Sequence, residues 1–198
     1  MNILQIHSSI RGIDSASSTL ATEIVSRLTA AHPQAIVQRL DLASHPLPVL
    51  DGQLLGALFT SADQRSPAQQ ALVAATDHAI TQVQQADAIV MGVPMYNFAV
   101  PVQLKGWFDA VARAGVTFRY TANGPEGLLT SKRVYLALTR GGLYPEDQDP
   151  QLPWLLRMLA FIGLTDVQQV KAGGQAMGPE AAAAGMASAR EQVRALQV

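Results

Sequence analysis

The sequence predicts an α/β fold, a three-layer sandwich in which helices cover both faces of one parallel sheet. Five short apolar segments alternate with longer segments of helical periodicity, and this order is typical of parallel strands joined by crossover helices. The run Ala88–Gly92 is apolar at every position, as expected for a strand buried on both faces. Because the 198 residues contain no clear linker or internal repeat, residues 1–198 are expected to form a single domain.

Each element follows from a local pattern. The strands are predicted at Ile3–Ile6, Ala35–Leu40, Ala88–Gly92, Arg133–Thr139 and Asp166–Val170. The helices are predicted at Ser18–Ala31, Pro67–Gln85, Pro101–Ala112, Trp154–Ile162 and from Pro179 to the C-terminus, from apolar residues spaced three and four positions apart. Ser66 is expected to cap the second helix, and Gly163 to end the fourth. Ser8–Ser17 and Asp41–Gln53 are expected to be connections, and Val116–Leu129 a hairpin around Asn123-Gly124-Pro125.

Composition excludes several classes of function. The net charge is −1 and no basic run is present, which argues against a nucleic-acid partner. The absence of cysteine excludes disulfides and thiolate metal sites, and the four histidines lack metal-ligand spacing, so no metal is expected. The sequence has neither a leader-like start nor an apolar run long enough to cross a bilayer, so we expect a cytoplasmic protein without a membrane partner.

The first candidate site is the serine-rich loop after the first strand, Ser8–Ser18. It leads into a helix N-terminus, where free backbone N–H groups and the helix dipole favour an anion such as phosphate. Arg11 could add a positive charge. An equally valid interpretation is a loop that simply ends in a helix cap. The loop has neither the dinucleotide glycine fingerprint nor a Walker A sequence.

Two further loops follow central strands. Pro94–Phe98 offers flat apolar surface with a few polar groups, although Met95 and Phe98 could instead fill the core. Thr139–Gly142 contains two glycines that would let backbone approach a ligand closely, or form an ordinary turn. In a sheet of order 2-1-3-4-5 all three loops leave the same edge, where a mononucleotide with a planar ring system would bind. FMN has this shape.

A more specific signal comes from longer motifs. They are Pro48–Gly52, Pro94–Phe98, Gln103–Lys105, Phe108–Leu128, Arg140–Gly142 and Phe161–Asp166. Over nearly the whole chain these segments resemble the FMN-dependent NADH azoreductase/quinone reductase family. The resemblance implies a flavodoxin-like homodimer with one FMN per subunit near the interface.

The resemblance also implies roles for individual residues. The phosphate-binding loop corresponds to Ser9 and to Ser15, Ala16 and Ser17, and Arg11 joins the candidates because it lies in the same loop. The segments beside the isoalloxazine correspond to Pro94, Met95, Tyr96, Asn97 and Phe98, and to Thr139, Arg140, Gly141 and Gly142. The substrate pocket corresponds to Phe59, Asn97, Phe98, Tyr120, Tyr144 and Phe161, some of them contributed across the dimer. Thr139 stands where some relatives have serine, and Tyr144 where some have histidine, so no general acid is assigned.

The implied reaction is a ping-pong two-electron transfer. NAD(P)H reduces the flavin and leaves, and a quinone or an azo compound then binds at the same position and is reduced to a hydroquinone or to amines. No side chain is assigned as catalytic because the cofactor carries the redox chemistry. The alternatives are an FMN electron carrier and a regulatory binding module of the same fold. A near-zero net charge argues against the carrier, since such proteins dock to redox partners through strong charge.

Overall fold

A computed structural model describes residues 1–198, with the side chain of Glu146 left out of the description. The strands are β1 Asn2–His7, β2 Ile36–Asp41, β3 Ala88–Pro94, β4 Phe118–Thr121, β5 Gly124–Gly127, β6 Arg133–Thr139 and β7 Asp166–Ala172. The helices are α1 Ala16–Ala31, α2 Gly52–Phe59, α3 Pro67–Gln85, α4 Val102–Val111, α5 Leu152–Phe161 and α6 Pro179–Ala195. Five strands form a parallel sheet of order β2-β1-β3-β6-β7. The predicted fold class and strand order are confirmed.

The two faces of the sheet carry separate apolar clusters. One face packs against α3, α4 and α5, with Trp107 and Leu155 among its fully buried residues. The other face packs against α1 and α6, with Leu28 among its fully buried residues. Along β3 alternate residues enter the two clusters, Met91 the first and Val90 the second, which explains why the strand is apolar throughout.

The first helix begins earlier than predicted. Its first residue is Ala16, not Ser18, because the Ser15 side chain caps the helix by accepting a hydrogen bond from the Ser18 N–H at 3.2 Å. The predicted cap of α3 is present as a full capping box between Ser66 and Gln69, with Pro67 in the first turn. The amides of Ala16 and Ser17 therefore belong to a helix N-terminus.

The sequence pattern did not reveal α2. Asp41–Gln53 was expected to be a connection, but α2 begins at Gly52. The Asp51 carboxylate caps it by accepting hydrogen bonds from the N–H groups of Gln53 and Leu54, both at 2.9 Å. Two glycines in eight residues lower the intrinsic helix propensity and conceal the helix, which is stabilised by its cap and by burial of Leu54 and Ala57.

The hairpin β4–β5 forms as predicted and packs against the end of α5. Gly127 and Gly163 meet backbone to backbone: a Cβ added to Gly127 would lie 2.0 Å from the Gly163 nitrogen. Gly163 also has φ of +99°, which suits its predicted position just after the helix. The two glycines together fix the hairpin beside α5.

The site lies at one edge of this sheet. The strands β1, β3, β6 and β7 are parallel, so the loops that follow them emerge at the same edge. Pro94, expected in a loop, is the last residue of β3, and the pairing continues with a 3.0 Å hydrogen bond from the Met95 N–H to the Thr139 carbonyl. No helix in the described part of the chain has the length and apolarity needed to cross a bilayer.

Candidate functional site

A cavity of about 220 Å³ lies where the strand-end loops meet. It is lined by Ser9, Arg11, Ser15, Ala16, Ser17, Pro94, Met95, Tyr96, Thr139, Arg140, Gly141, Gln175 and Ala176. All but the last two belong to the predicted set. Three residues predicted to bind the cofactor, Asn97, Phe98 and Gly142, are not part of this lining. The structure therefore brings the three predicted loops together and adds a fourth.

One end of the cavity is suited to an anion. The N–H groups of Ala16 and Ser17 lie in the first turn of α1, where backbone donors have no partner within the helix. The buried hydroxyl groups of Ser15 and Ser17 lie 3.3 Å apart at the same place. The Ser15 hydroxyl donates to the Ser18 hydroxyl at 2.9 Å, so the Ser17 hydroxyl is the donor of this pair that is available to a ligand. Hydroxyl and amide donors at the positive end of a helix dipole bind phosphate well.

The serine loop is joined to the loop after β3. The hydroxyl oxygens of Ser9 and Tyr96 lie 2.9 Å apart, within hydrogen-bond distance. The Arg11 N–H donates to the Ser9 hydroxyl at 3.2 Å, and the Arg11 side chain is exposed. The anion end and the apolar wall of the cavity are therefore held in one hydrogen-bonded unit.

Gly92 allows α1 to approach the sheet closely. A Cβ at this position would lie 3.0 Å from the Ser17 carbonyl oxygen, tighter than ordinary contact. The Ser8 hydroxyl donates to the Gly92 carbonyl at 2.8 Å and fixes the start of the loop to the same strand. The absence of a side chain at Gly92 thus allows the N-terminus of α1 to lie close to strand β3.

His7 ends β1 directly before this loop. Burial lowers its pKa, and the charge of Arg39 lowers it further, against the opposing effect of Asp41. Neither ring nitrogen has a hydrogen-bond partner among the described residues. The imidazole is therefore neutral at pH 7, so the attraction of this loop for anions comes from its N–H and O–H donors and from Arg11.

A tight turn carries Asn97 and Phe98 away from the cavity. Tyr96 and Ala99 exchange two backbone hydrogen bonds of 3.0 Å, and the two residues between them have φ of +49° and +67°. Positive φ is unfavourable for phenylalanine and marks a strained backbone. The Phe98 side chain is 65% exposed and lines a separate apolar groove with Trp154.

The Arg140 side chain is directed into the protein, although the residue lines the cavity as predicted. Its guanidinium is fully buried and donates to Asp149 at 2.9 and 3.4 Å and to the Thr139 carbonyl at 3.1 Å. The Lys171 ammonium lies 3.2 Å from the same carboxylate. Because its charge is satisfied inside the protein, Arg140 supports the glycine loop and does not offer a free guanidinium to a ligand.

Gln175 and Ala176 were not predicted from the sequence. They follow β7, which ends at the same edge as β1, β3 and β6. The adjacent glycines Gly173 and Gly174 at the end of a predicted strand were the available signal, of the same kind as Gly141 and Gly142. Because ligands of such sheets bind at the carboxyl ends of the strands, the loop after β7 could have been predicted to line the site as well.

The predicted substrate residues lie outside the cavity. Phe59 and Tyr120 are 85% and 75% exposed. Phe161 packs against Phe118, with ring centroids 4.3 Å apart, and Tyr120 joins the same group. Tyr144 lies beside Gly142. Within one chain, these aromatic residues are therefore not gathered around the cavity. Among the described residues, no group of acidic and histidine side chains is arranged to hold a metal ion.

Comparison with known proteins agrees with this geometry. Residues 1–196 match the family model described as flavodoxin-like fold. The chain is 56% identical over 197 residues to an FMN-dependent NADH:quinone oxidoreductase of Dechloromonas aromatica (strain RCB), with 99% of each chain covered. It is 54% identical over 201 residues to one of Leptothrix cholodnii, covering 99% of this chain and 96% of the relative.

A solved structure of an azoreductase has the same fold as this chain. The crystal structure of an azoreductase from Bacillus anthracis str. Sterne superposes with a TM-score of 0.87 at 27% sequence identity, covering 98% of both chains. The resemblance inferred from the sequence motifs is confirmed. The chain belongs to the flavodoxin-like family and, within it, to the FMN-dependent NADH:quinone oxidoreductases.

Proposed function

We propose that this protein is an FMN-dependent oxidoreductase that uses NAD(P)H to reduce quinones to hydroquinones and azo compounds to amines by a ping-pong mechanism. One observation carries the proposal: a single cavity joins a hydroxyl and amide cradle at a helix N-terminus to an apolar wall and a glycine loop. When bound, FMN supplies the two-electron redox chemistry. The protein residues bind and orient it.

The cradle fits the phosphate of FMN. Ser17 provides a buried hydroxyl group, Ser15 caps the helix beside it, and the first turn of α1 provides N–H donors. Arg11 adds a solvent-exposed positive charge at the rim. The cradle can hold a phosphate without a metal ion, because its N–H and O–H donors lie at the positive end of the α1 dipole.

The other walls fit a planar ring system. Pro94, Met95 and Tyr96 offer apolar surface, and Gly141 offers backbone without a side chain. No described residue accepts a hydrogen bond from the N–H groups of Gly141 and Gly142. Such donors stabilise negative charge on a reduced ring.

Replacement of Gly92 by alanine should weaken FMN binding. The new methyl group presses on the Ser17 carbonyl and displaces the first turn of α1. We expect roughly 5- to 30-fold weaker binding, since an anion at a partly buried helix N-terminus gains about 1–2 kcal/mol. Quenching of flavin fluorescence measures the affinity. Riboflavin, which lacks the phosphate, is the control ligand; an equal loss for both flavins would contradict the assignment of the phosphate end.

Two replacements of Phe98 should show whether its backbone is strained and whether its ring contacts a ligand. Phe98→Ala and Phe98→Gly both remove the ring, but only glycine relieves the positive φ. We expect Phe98→Gly to be more stable than Phe98→Ala by about 1 kcal/mol in urea unfolding. We propose that the groove formed by Phe98 and Trp154 receives the electron acceptor, so both variants should raise KM for a benzoquinone severalfold. Equal stability of the two would argue against strain, and an unchanged KM against contact with the acceptor.

We also propose that the active form is a homodimer. Large apolar side chains are exposed on α2, α4 and the hairpin, among them Phe59, Val102 and Tyr120. Exposed apolar groups of this kind are typical of association surfaces. Pairing of two chains would bring aromatic residues of one near the cavity of the other. The molar mass, measured by light scattering after size-exclusion chromatography, tests this proposal. The mass of a monomer at all protein concentrations would contradict it. A cytoplasmic location accords with NADH as the donor.

One experiment distinguishes the enzyme from its alternatives. Purified protein is mixed anaerobically with FMN and NADH, and the flavin absorption is followed before and after addition of a benzoquinone. Bleaching by NADH that reverses with the quinone supports the oxidoreductase. Bound FMN that NADH does not reduce would favour an electron carrier, and absence of FMN binding would leave a regulatory module. Parallel runs with NADPH determine the preferred donor.

A further inference from the structure

The loop Gly173–Ala176 orients the glycine loop. Three of its N–H groups donate to successive carbonyls: Gln175 to Arg140 at 3.0 Å, Ala176 to Gly141 at 2.9 Å and Gly174 to Gly142 at 3.0 Å. In a trans peptide the C=O and N–H groups point in opposite directions. Holding the carbonyls of Arg140 and Gly141 therefore directs the N–H groups of Gly141 and Gly142 away from the 173–176 loop.

The Gln175 side chain fastens that loop to α6. Its amide nitrogen donates to the Gly173 carbonyl at 3.1 Å and to the Ala182 carbonyl at 3.2 Å, which uses both of its N–H donors. Gly185 makes the approach possible, because a Cβ there would lie 2.1 Å from the Gly173 oxygen. The loop is thus tied to the helix on one side and to the glycine loop on the other.

We propose that Gln175 is a positioning residue for the cofactor. By fastening the 173–176 loop it fixes the direction of the N–H group of Gly141, which lines the cavity, and so favours the reduced, more negative form of the cofactor over the oxidised form. Fixed N–H dipoles stabilise charge at no cost in reorganisation, whereas a loose loop would have to reorganise. This inference rests on the proposed function, in which FMN occupies the cavity.

The test compares Gln175→Leu with Gln192→Leu. Gln192 is a matched control because its side chain also makes two hydrogen bonds to backbone, at Lys171 (2.9 and 3.2 Å), but it is not part of the cavity lining. The affinity for oxidised FMN and the midpoint potential of bound FMN are measured for both. For Gln175→Leu we expect reduced FMN to lose about tenfold more affinity than oxidised FMN, a potential lower by about 30 mV for a two-electron couple. Gln192→Leu should keep the wild-type potential even where its stability falls.

The possible outcomes separate the two hypotheses. A wild-type potential in Gln175→Leu overturns the positioning role while leaving the proposed function intact. Wild-type protein that binds no FMN overturns the proposed function, and the inference with it. If Gln175→Leu does not fold, Gln175→Met keeps the length of the side chain without its two donors, and an unchanged potential in that variant also overturns the role. The ratio of FMN to riboflavin affinity should stay constant, because the phosphate cradle is untouched.

Discussion

Replacement of Asp149 by alanine should lower the free energy of unfolding by about 3–5 kcal/mol, the cost of breaking a buried ion pair from one side. Asp149 accepts hydrogen bonds from Arg140 and from the N–H groups of Gln151 and Leu152, and it forms an ion pair with Lys171. Its loss leaves the fully buried guanidinium without a counter-charge and the start of α5 without its acceptor. Urea unfolding at pH 7 measures the effect.

The exposed ion pair of the hairpin is the control. Glu126 accepts two hydrogen bonds from Arg119 at 2.9 and 3.0 Å, but both side chains are about half exposed. Glu126→Gln should leave stability almost unchanged, because water screens exposed pairs. Equal effects of the two substitutions would contradict a special role for the buried network. Asp149→Asn, which keeps an acceptor without the charge, should fall between them.

Protonation of Asp149 at low pH should destabilise the protein in part as the Asp149→Ala substitution does. Burial acts to raise the pKa of Asp149, but the hydrogen bond and charge of Arg140, with Leu152 N–H and Lys171, outweigh it and hold the pKa below its ordinary value. Because the folded-state pKa is the lower one, this stabilisation is present above about pH 4 and is lost as the pH falls further through the folded-state pKa. The acid-induced loss of stability should be smaller in Asp149→Ala than in the wild type.

Gly127→Ala should destabilise the protein by about 3 kcal/mol or more, since the added carbon would overlap the backbone of Gly163 and neither backbone can yield easily. The hairpin must then move away from α5, which breaks the contact between Phe118 and Phe161. Urea unfolding measures the loss.

Gly106→Ala is the matched control for that substitution. Gly106 lies inside α4, and a Cβ there would meet no atom within 4 Å. Alanine should therefore stabilise the helix by about 0.5–1 kcal/mol. A Gly127→Ala variant as stable as the wild type would show that the hairpin does not depend on the close approach of the two glycines.

Local patterns were sufficient to predict the sheet and the edge that carries the site. The apolar run of β3 reveals a buried strand, and strand ends identify the loops. Local patterns do not predict the direction of a side chain. Arg140 points into the protein because the fold brings its partner, Asp149, close to it. Asn97 and Phe98 leave the cavity because the turn adopts positive φ without glycine, which no sequence pattern signals.

The hydrogen bond between Ser9 and Tyr96 makes the two ends of the cavity cooperative. A hydroxyl has one hydrogen to give. When Ser9 donates to an anion, it can only accept from Tyr96, and the phenol must then donate. Occupation of the polar end thereby fixes which of the two hydroxyl groups donates at the apolar end. Binding of a ligand's anionic group can in this way set the hydrogen-bond direction of the Tyr96 hydroxyl beside its ring system.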